Sequence, residues 1–246
     1  QFAPYFTDGY KTAWGKAVNL DGSYSNEARG FFIDNALMWF REYHIDALRI
    51  DAVHAFYDIS AIHFLEELSV KTEDLSAELG KRFYCIAESD LNNPGVVTDR
   101  RMGGYGMDAQ WSDDFHHSLH SLLTGERDGY YSDFGSPKDI QKVFSHPFVY
   151  NGKFSPHRRR VHGKEPAGLS GQSFFAYSQN HDQVGNRAAG ERLIHICGAA
   201  KAKIAAALVF FSPYLPMIFQ GEEWGASTPF QYFTHHGDPE LGKAVS

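Results

Sequence analysis

The segment at residues 46–54 combines an arginine and a carboxylate in a spacing that suits bond cleavage. Its sequence is DALRIDAVH, with Arg49 and Asp51 two positions apart. Alternate residues of a strand point to opposite faces, so Arg49 and Asp51 would share one face and the aliphatic residues the other. A guanidinium next to a carboxylate favours the ionised, nucleophilic form of the acid. A structural ion pair at a strand end has the same pattern, so this segment alone leaves both interpretations open.

Two later apolar segments also end at a carboxylate. The stretch FYCIA at 83–87 precedes Glu88, and SFFAYS at 173–178 leads through QNH to Asp182. Helical patterns separate these segments, and glycine and proline mark the boundaries, which is typical of parallel βα units. In a parallel α/β barrel the C-terminal ends of the strands meet on one face. We therefore expect Asp51, Glu88 and Asp182 to converge.

Two carboxylates in unequal environments can cleave a glycosidic bond. Asp51, beside Arg49, suits an ionised nucleophile, whereas the apolar strand before Glu88 would raise the pKa of that acid and suit it to general acid and base catalysis. Asp182 would grip ring hydroxyls and favour a distorted sugar. Aromatic residues make up 15% of the chain, and their flat faces suit sugar rings, although each alone can equally belong to the core. Those near the strand ends are Trp14, Tyr105, Trp111 and Trp224.

Composition excludes several classes of function. The chain has 246 residues, which suits a single domain, and 23 basic against 30 acidic residues give a net charge of −7. This balance argues against a nucleic-acid or membrane partner, and the short run at 158–160 is interpreted as a solvated loop. No apolar run reaches the roughly 20 residues of a membrane span. Histidines lack metal-site spacing, so no metal is expected.

Other features concern location and organisation. Cys85 and Cys197 lie in apolar segments and are expected to be reduced thiols of a cytoplasmic protein. Residues 133–171 form a polar, proline-containing insertion that is too long for a plain connection, so we expect a functional or covering loop. The chain begins with Gln1 and both ends lie in ordinary sequence, so we expect a fragment.

Taken in order, three of these motifs resemble the α-amylase superfamily of glycoside hydrolases, known as glycoside hydrolase family 13. Residues 46–54 are similar to the segment that carries its arginine and nucleophile, AESD at 87–90 to that of its acid/base, and NHD at 180–182 to that of its stabilising aspartate. Longer stretches resemble the maltooligosyltrehalose trehalohydrolase family. They are WGKAVN at 14–19, DAQWSDDFHH at 108–117, QNHDQVGNR at 179–187 and YFTHHGDPELGK at 232–243.

The resemblance implies an α/β fold, namely roughly strands four to eight of a (β/α)8 TIM barrel. Residues 1–246 would be a single catalytic-domain fragment without the N-terminal barrel strands and the C-terminal β domain. Such a barrel has open edges and an incomplete sugar pocket, so the chain alone is expected to be poorly stable and nearly inactive.

The implied reaction is retaining hydrolysis of the α-1,4 bond next to the terminal trehalose of maltooligosyltrehalose, which releases trehalose without a metal or organic cofactor. A maltooligosyltrehalose synthase would supply the substrate. The alternative enzyme is another α-1,4-glucan-active member, a branching enzyme or an α-amylase. A catalytically silent binding or scaffold protein built on the same barrel is a third possibility. The presence of all three carboxylates and Arg49 argues against it.

The resemblance also assigns roles to individual residues. Asp51, Glu88 and Asp182 would be catalytic. Arg49, His54 and His181 would hold the sugar around the bond, while residues of the segment 113–117 would lie on the leaving-group side. The full set of expected substrate contacts is Arg49, His54, Asp90, Trp111, Asp113, Asp114, His116, His117, Asn180 and His181.

Overall fold

Short strands alternate with helices along most of the molecule. The computed structural model describes residues 4–232 and 239–245, so residues 233–238 of the tail motif lie outside the described part. The strands are β1 (Phe6–Thr12), β2 (Gly15–Val18), β3 (Ala47–Ile50), β4 (Tyr84–Ala87), β5 (Ala109–Trp111), β6 (Lys153–Ser155), β7 (Arg160–His162), β8 (Phe174–Tyr177) and β9 (Leu215–Met217). The α-helices are α1 (Ser25–Glu42), α2 (Phe64–Leu79), α3 (Asp113–Thr124), α4 (Pro137–Val143), α5 (His181–Gly185), α6 (Leu193–Phe210) and α7 (Pro239–Val245).

Five strands form one parallel sheet in the order β3-β4-β5-β8-β9. In the register of β3 and β4, Arg49 lies opposite Ile86, and Ile50 lies opposite Ala87. All strand pairs in this sheet are parallel, so the residues that follow the strands emerge at the same edge. This arrangement confirms the expected α/β fold with parallel βα units.

Helices cover the sheet and form the core with it. Helix α2 contacts β4, while α3 and α6 contact β8 and each other. Phe115, Leu119 and Leu123 are buried at four-residue intervals, so one stripe of α3 faces inward. Below β4, the rings of Phe40 and Phe83 stack with centroids 4.8 Å apart. The strands are thereby held rigidly beneath the loops at their carboxyl ends.

Two segments differ from the sequence-based expectation. The sequence through Gly22 predicts a loop-rich lead-in, whereas residues 6–18 form the antiparallel β1–β2 hairpin. The sequence over 59–69 predicts a helix, but the helix of the structure, α2, begins at Phe64 and runs to Leu79. Its start is fixed because His63 Nδ1 accepts a hydrogen bond from the Leu65 N–H at 3.2 Å, and it ends at Gly80 with a positive φ of 61°.

The insertion at 133–171 has its own secondary structure. A 3-10 helix over Gly129–Asp133 leads into it, and α4 follows with a capping box formed by Ser136 and Asp139. The β6–β7 hairpin comes next and brings residues 156–159 to its turn. The segment is therefore an ordered cover rather than an irregular connection.

Helix α6 is unusually apolar. Residues 193–210 are long and apolar enough to cross a membrane, by length and composition only. Of these residues, 17% are buried within the protein. It contacts α3, β8 and β9, and Gly198 interrupts its helical backbone. A single helix with this length and composition is weak evidence for a membrane protein.

The α1–α2 layer depends on a buried arginine. Arg29 pairs with Asp58 at 2.6 Å and with Glu67 at 2.7 Å, and their side-chain exposures are 8%, 0% and 35%. It also donates to the carbonyls of Leu20 and Ile62. We expect Arg29→Leu to lower the free energy of unfolding by about 3–5 kcal/mol, because Asp58 would remain buried without its cation. Urea denaturation measures the change.

The matched control is Arg41→Leu, which removes an exposed pair to Glu78. Exposed pairs contribute only about 0–1 kcal/mol, so this variant should unfold almost as the unmodified chain does. Equal losses in the two variants would contradict the proposed role of Arg29.

Candidate active site

Arg49 contacts all three carboxylates that the sequence singled out. Its guanidinium lies 2.8 Å from Asp51, 3.7 Å from Glu88 and 3.8 Å from Asp182. It also lies over the ring of Trp111, with the guanidinium carbon 4.6 Å from the ring centroid. The parallel sheet therefore brings three residues from distant parts of the sequence to the Arg49–Asp51 pair, namely Glu88, Trp111 and Asp182.

The carboxylates of Asp51 and Glu88 have different surroundings. The side chain of Asp51 is 75% exposed, whereas that of Glu88 is 16% exposed. Burial raises the pKa of Glu88, opposed by the backbone N–H of Ala52, which donates to Glu88 Oε2 at 2.7 Å, and by the positive charge of Arg49. One acid is accessible and paired with a cation, and the other favours its protonated form.

Asp182 is positioned by the start of a short helix. The side chain of Asn180 accepts hydrogen bonds from the N–H groups of Asp182 and Gln183 and so caps α5. His181 Nε2 lies 3.5 Å from Asp182 Oδ2, and the Tyr232 hydroxyl donates to Asp182 Oδ1 at 2.9 Å. The carboxylate thus faces the other acids from a fixed turn at the end of β8.

An open cavity of about 480 Å³ lies above these strand ends. It is polar and contains all three candidate catalytic carboxylates. Its lining residues are Trp14, Asp51, Ala52, His54, Glu88, Asp90, Asp113, His117, Tyr130, His157, Arg158, Asn180, Asp182, Gln183 and Asn186. A larger cavity of about 660 Å³ beside α6 has a mainly apolar lining and lacks the three carboxylates. The smaller cavity is therefore the candidate active site.

The side of the cavity at the end of β4 is closed by Asp90. Its carboxylate receives two hydrogen bonds from Arg158, one of them at 2.8 Å, and its backbone N–H donates to His54 Nδ1 at 3.4 Å. The ring of His54 lies 6.2 Å from that of Trp14, measured between centroids. Residues from three separate loops thus meet around Asp90.

Asp113 lies in the cavity, and His117 forms part of its wall. Asp113 accepts a short hydrogen bond from the Tyr177 hydroxyl, and burial raises its pKa to about 8, helped by the negative charge of Glu88. His117 stacks on Tyr130 with centroids 4.7 Å apart, and burial lowers its pKa to about 3. Asp113 is thus held as a neutral acid and His117 as a neutral imidazole near pH 7.

Two residues expected to touch sugar lie elsewhere. Asp114 accepts from the N–H of Tyr150 at 2.8 Å and from the amide of Asn92 at 3.0 Å. His116 is fully buried, with its ring nitrogens 2.8 Å from the Ser178 carbonyl and 2.8 Å from the Tyr131 hydroxyl. Their polar atoms are occupied within the protein, so the expectation of direct sugar contact is corrected to a supporting role.

Three expected sugar contacts lie close to the candidate catalytic carboxylates without lining the cavity, namely Trp111, Arg49 and His181. Trp111 is 7% exposed and lies beneath Arg49, so it supports the guanidinium rather than offering an open face. Within residues 4–232 and 239–245, no group of three or more His, Cys, Asp or Glu side chains is arranged to hold a metal ion.

Sequence reasoning missed several cavity residues. Tyr130, His157 and Arg158 come from the insertion and its approach, and the segment 158–160 was interpreted as a solvated loop. Arg159 and Arg160 are indeed exposed, but Arg158 turns inward to Asp90. What distinguishes Arg158 from its neighbours is an acidic partner 68 positions away, and this pairing cannot be recognised in the sequence without the fold.

Comparison with known proteins shows which enzymes the chain is similar to. A Saccharolobus solfataricus protein named malto-oligosyltrehalose trehalohydrolase is 50% identical over 245 residues, which is 100% of this chain and 43% of that protein. Over its whole length, the chain is similar to several proteins with this name. Members with this name are as distant as the Deinococcus radiodurans protein, at 38% identity. The chain spans less than half the length of these relatives.

Other comparisons extend the relationship beyond the trehalohydrolases. A 1,4-alpha-glucan branching enzyme of Corynebacterium jeikeium is 26% identical over 239 residues, covering 88% of this chain and 29% of that enzyme. A crystal structure of a candidate α-amylase from Salmonella typhimurium superposes with a TM-score of 0.85 at 35% identity, covering 98% of this chain and 41% of that one. No family model matches the chain. The structural neighbour confirms the expected partial α-amylase-type barrel.

The raised pKa of Asp113 predicts how stability depends on pH. The folded state retains a proton that the unfolded chain has lost, so this group makes the free energy of unfolding fall as pH rises from about 4 to about 8. Asp113→Asn replaces the neutral acid with a neutral amide that can still accept from Tyr177. We expect it to make the slope between pH 5 and 7 less negative by roughly 1.4 kcal/mol per pH unit.

Urea denaturation at several pH values measures this slope. Asp8→Asn is the control, because that side chain is 81% exposed and should leave the slope unchanged. An unchanged slope in Asp113→Asn would show that Asp113 is ionised in the folded chain.

Proposed function

We propose that this chain carries the catalytic centre of a retaining glycosidase that releases trehalose from maltooligosyltrehalose. The observation that supports it most is the contact of Arg49 with three carboxylates at the carboxyl-terminal ends of the parallel strands. These are Asp51, Glu88 and Asp182. An exposed acid paired with a cation lies beside a buried acid whose pKa is raised, and such a pair suits the two roles that glycoside cleavage needs.

In the proposed first step, a carboxylate oxygen of Asp51 attacks the anomeric carbon and forms a glycosyl-enzyme ester. The bond from that carbon to the bridging oxygen breaks, and the oxygen takes the proton of Glu88. Burial favours this reaction because it keeps Glu88 protonated closer to neutral pH. The leaving fragment departs with a free hydroxyl.

In the second step, Glu88 acts as a base. It removes a proton from water as the water oxygen attacks the anomeric carbon, the ester bond to Asp51 breaks, and Glu88 is protonated again. Two displacements return the original anomeric configuration. Asp182, fixed by the Asn180 cap, would hold ring hydroxyls of the distorted sugar, and His181 and His54 would assist.

The trehalose-capped substrate is inferred from the trehalohydrolase relatives. The match to the Saccharolobus solfataricus protein is 50% identical over the whole chain, whereas the branching enzyme is 26% identical over 88% of it. This difference favours trehalose release over branch formation or general amylase action. A synthase that makes maltooligosyltrehalose would supply the substrate, and a cytoplasmic location would suit two reduced cysteines.

The domain organisation is part of the proposal. The relatives are more than twice as long as this chain, and β3 and β9 end the five-stranded sheet without a neighbour among the described residues. We propose that residues 1–246 act within a longer catalytic domain, in which further strands close the barrel and complete the sugar pocket.

Product analysis tests the function. The protein expressed from its whole gene should convert maltotriosyltrehalose to trehalose and maltotriose, and proton NMR should show the α-anomer of maltotriose first. Asp51→Asn should abolish nearly all turnover while sugar binding remains, because only the covalent step and its transition state are affected. New α-1,6 branches, or maltose from starch without trehalose release, would support the alternative enzymes instead.

Comparison of two lengths tests the domain proposal. The 246-residue chain alone should unfold at a lower temperature and have a kcat/KM at least about a hundredfold below that of the longer protein, because misplaced sugar contacts cost this much. Calorimetry and trehalose release measure the two properties. Equal turnover by both proteins would refute the need for further strands.

A further inference from the structure

The turn of the β6–β7 hairpin is tied to the end of β4. Arg158 Nη1 donates to Asp90 Oδ2 at 2.8 Å, and Nη2 donates to Oδ1. Asp90 follows Glu88 by two residues, so the guanidinium is anchored next to the candidate acid. Two-point pairing between an arginine and a carboxylate fixes the plane as well as the position of the guanidinium.

The base of the same turn is also fixed. Asp133 accepts hydrogen bonds from the Ser155 hydroxyl and from the N–H of His157, the latter at 3.0 Å. Ser155 Oγ in turn accepts from the N–H of Arg158 at 3.1 Å. Asp133 ends the 3-10 helix that carries Tyr130 into the cavity. Tyr130 and the hairpin turn therefore form one connected wall.

Arg158 retains hydrogen-bonding capacity that faces the cavity. A guanidinium has five N–H donors, and Asp90 uses two of them. In the part of the chain that the structure describes, no acceptor pairs with the other three. The side chain is 23% exposed and lines the cavity, together with His157. Because its orientation is already fixed, binding a sugar hydroxyl would cost little further ordering.

We infer that Arg158 is a specificity-determining residue that binds hydroxyls of the leaving sugar, with the turn at 156–159 as the wall of that subsite. The inference rests on the proposed function. Glu88 protonates the bridging oxygen, which departs with the leaving sugar, and Arg158 is anchored immediately beyond Glu88. Asp51 and Asp182 instead flank the carbon that is attacked.

Two substrates distinguish binding of the leaving sugar by Arg158 from a general role in supporting Glu88. Maltotriosyltrehalose has a sugar leaving group, whereas 4-nitrophenyl α-maltotrioside has the same attacked sugar and a leaving group without sugar hydroxyls. In the protein expressed from its whole gene, Arg158→Gln should lower kcat/KM for the first about ten- to hundredfold and leave that for the second within about twofold. The inhibition constant of trehalose should rise by a similar factor.

Arg160→Gln is the matched control, since Arg160 is exposed and two residues away in the same hairpin. It should behave as the unmodified protein with both substrates. Arg158→Lys, which keeps the charge but not the two-point pairing, should lose less than the glutamine variant. If Arg158→Gln does not fold by circular dichroism, the lysine variant provides the same comparison.

The outcomes are distinct. Equal losses with both substrates would overturn the inference, because Arg158 would then only support Glu88. Unchanged kinetics with maltotriosyltrehalose would overturn it too. No turnover of maltotriosyltrehalose by the unmodified protein would instead reject the proposed function on which the inference rests.

Discussion

The candidate site depends on one cation among three acids. Asp51, Glu88 and Asp182 face a common space, and their mutual repulsion would favour protonation or separation without Arg49. The guanidinium lies over Trp111, so its position is fixed from below. Because the guanidinium of Arg49 is closest to Asp51, it compensates the negative charges of the three acids unequally. The cation thus pairs most closely with the exposed Asp51, while burial raises the pKa of Glu88.

Buried polar side chains behind the cavity keep its loops in place. Asp114 joins α3 to the insertion through Tyr150 and Asn92, and His116 joins the same helix to Ser178 at the end of β8. Burying such groups is costly unless they are hydrogen-bonded, and here each has partners. Burial also lowers the pKa of His116 well below its usual range, so it is held neutral. His116 thus adds no charge near the candidate catalytic acids.

Much of the fold could be predicted because apolar segments ending in acids repeat along the chain. The parallel sheet and the meeting of Asp51, Glu88 and Asp182 followed from that pattern. The roles of the segment 113–117 could not be separated, because its acids and histidines look alike in sequence. Helix α3 turns one side to the cavity and the other to the core, and this rotation decides which residues can meet a sugar.

The sequence by itself determined where the three candidate acids lie, since strand alternation and parallel βα order place Asp51, Glu88 and Asp182 at one edge of the sheet. Only the tertiary structure decided which other side chains reach the cavity. Arg158 belongs to a run of three arginines with the same local chemistry, and its distinct role comes from a carboxylate 68 positions away. Local sequence determines which face of a strand or helix a side chain occupies. Contacts between loops depend instead on how the insertion folds back over the sheet.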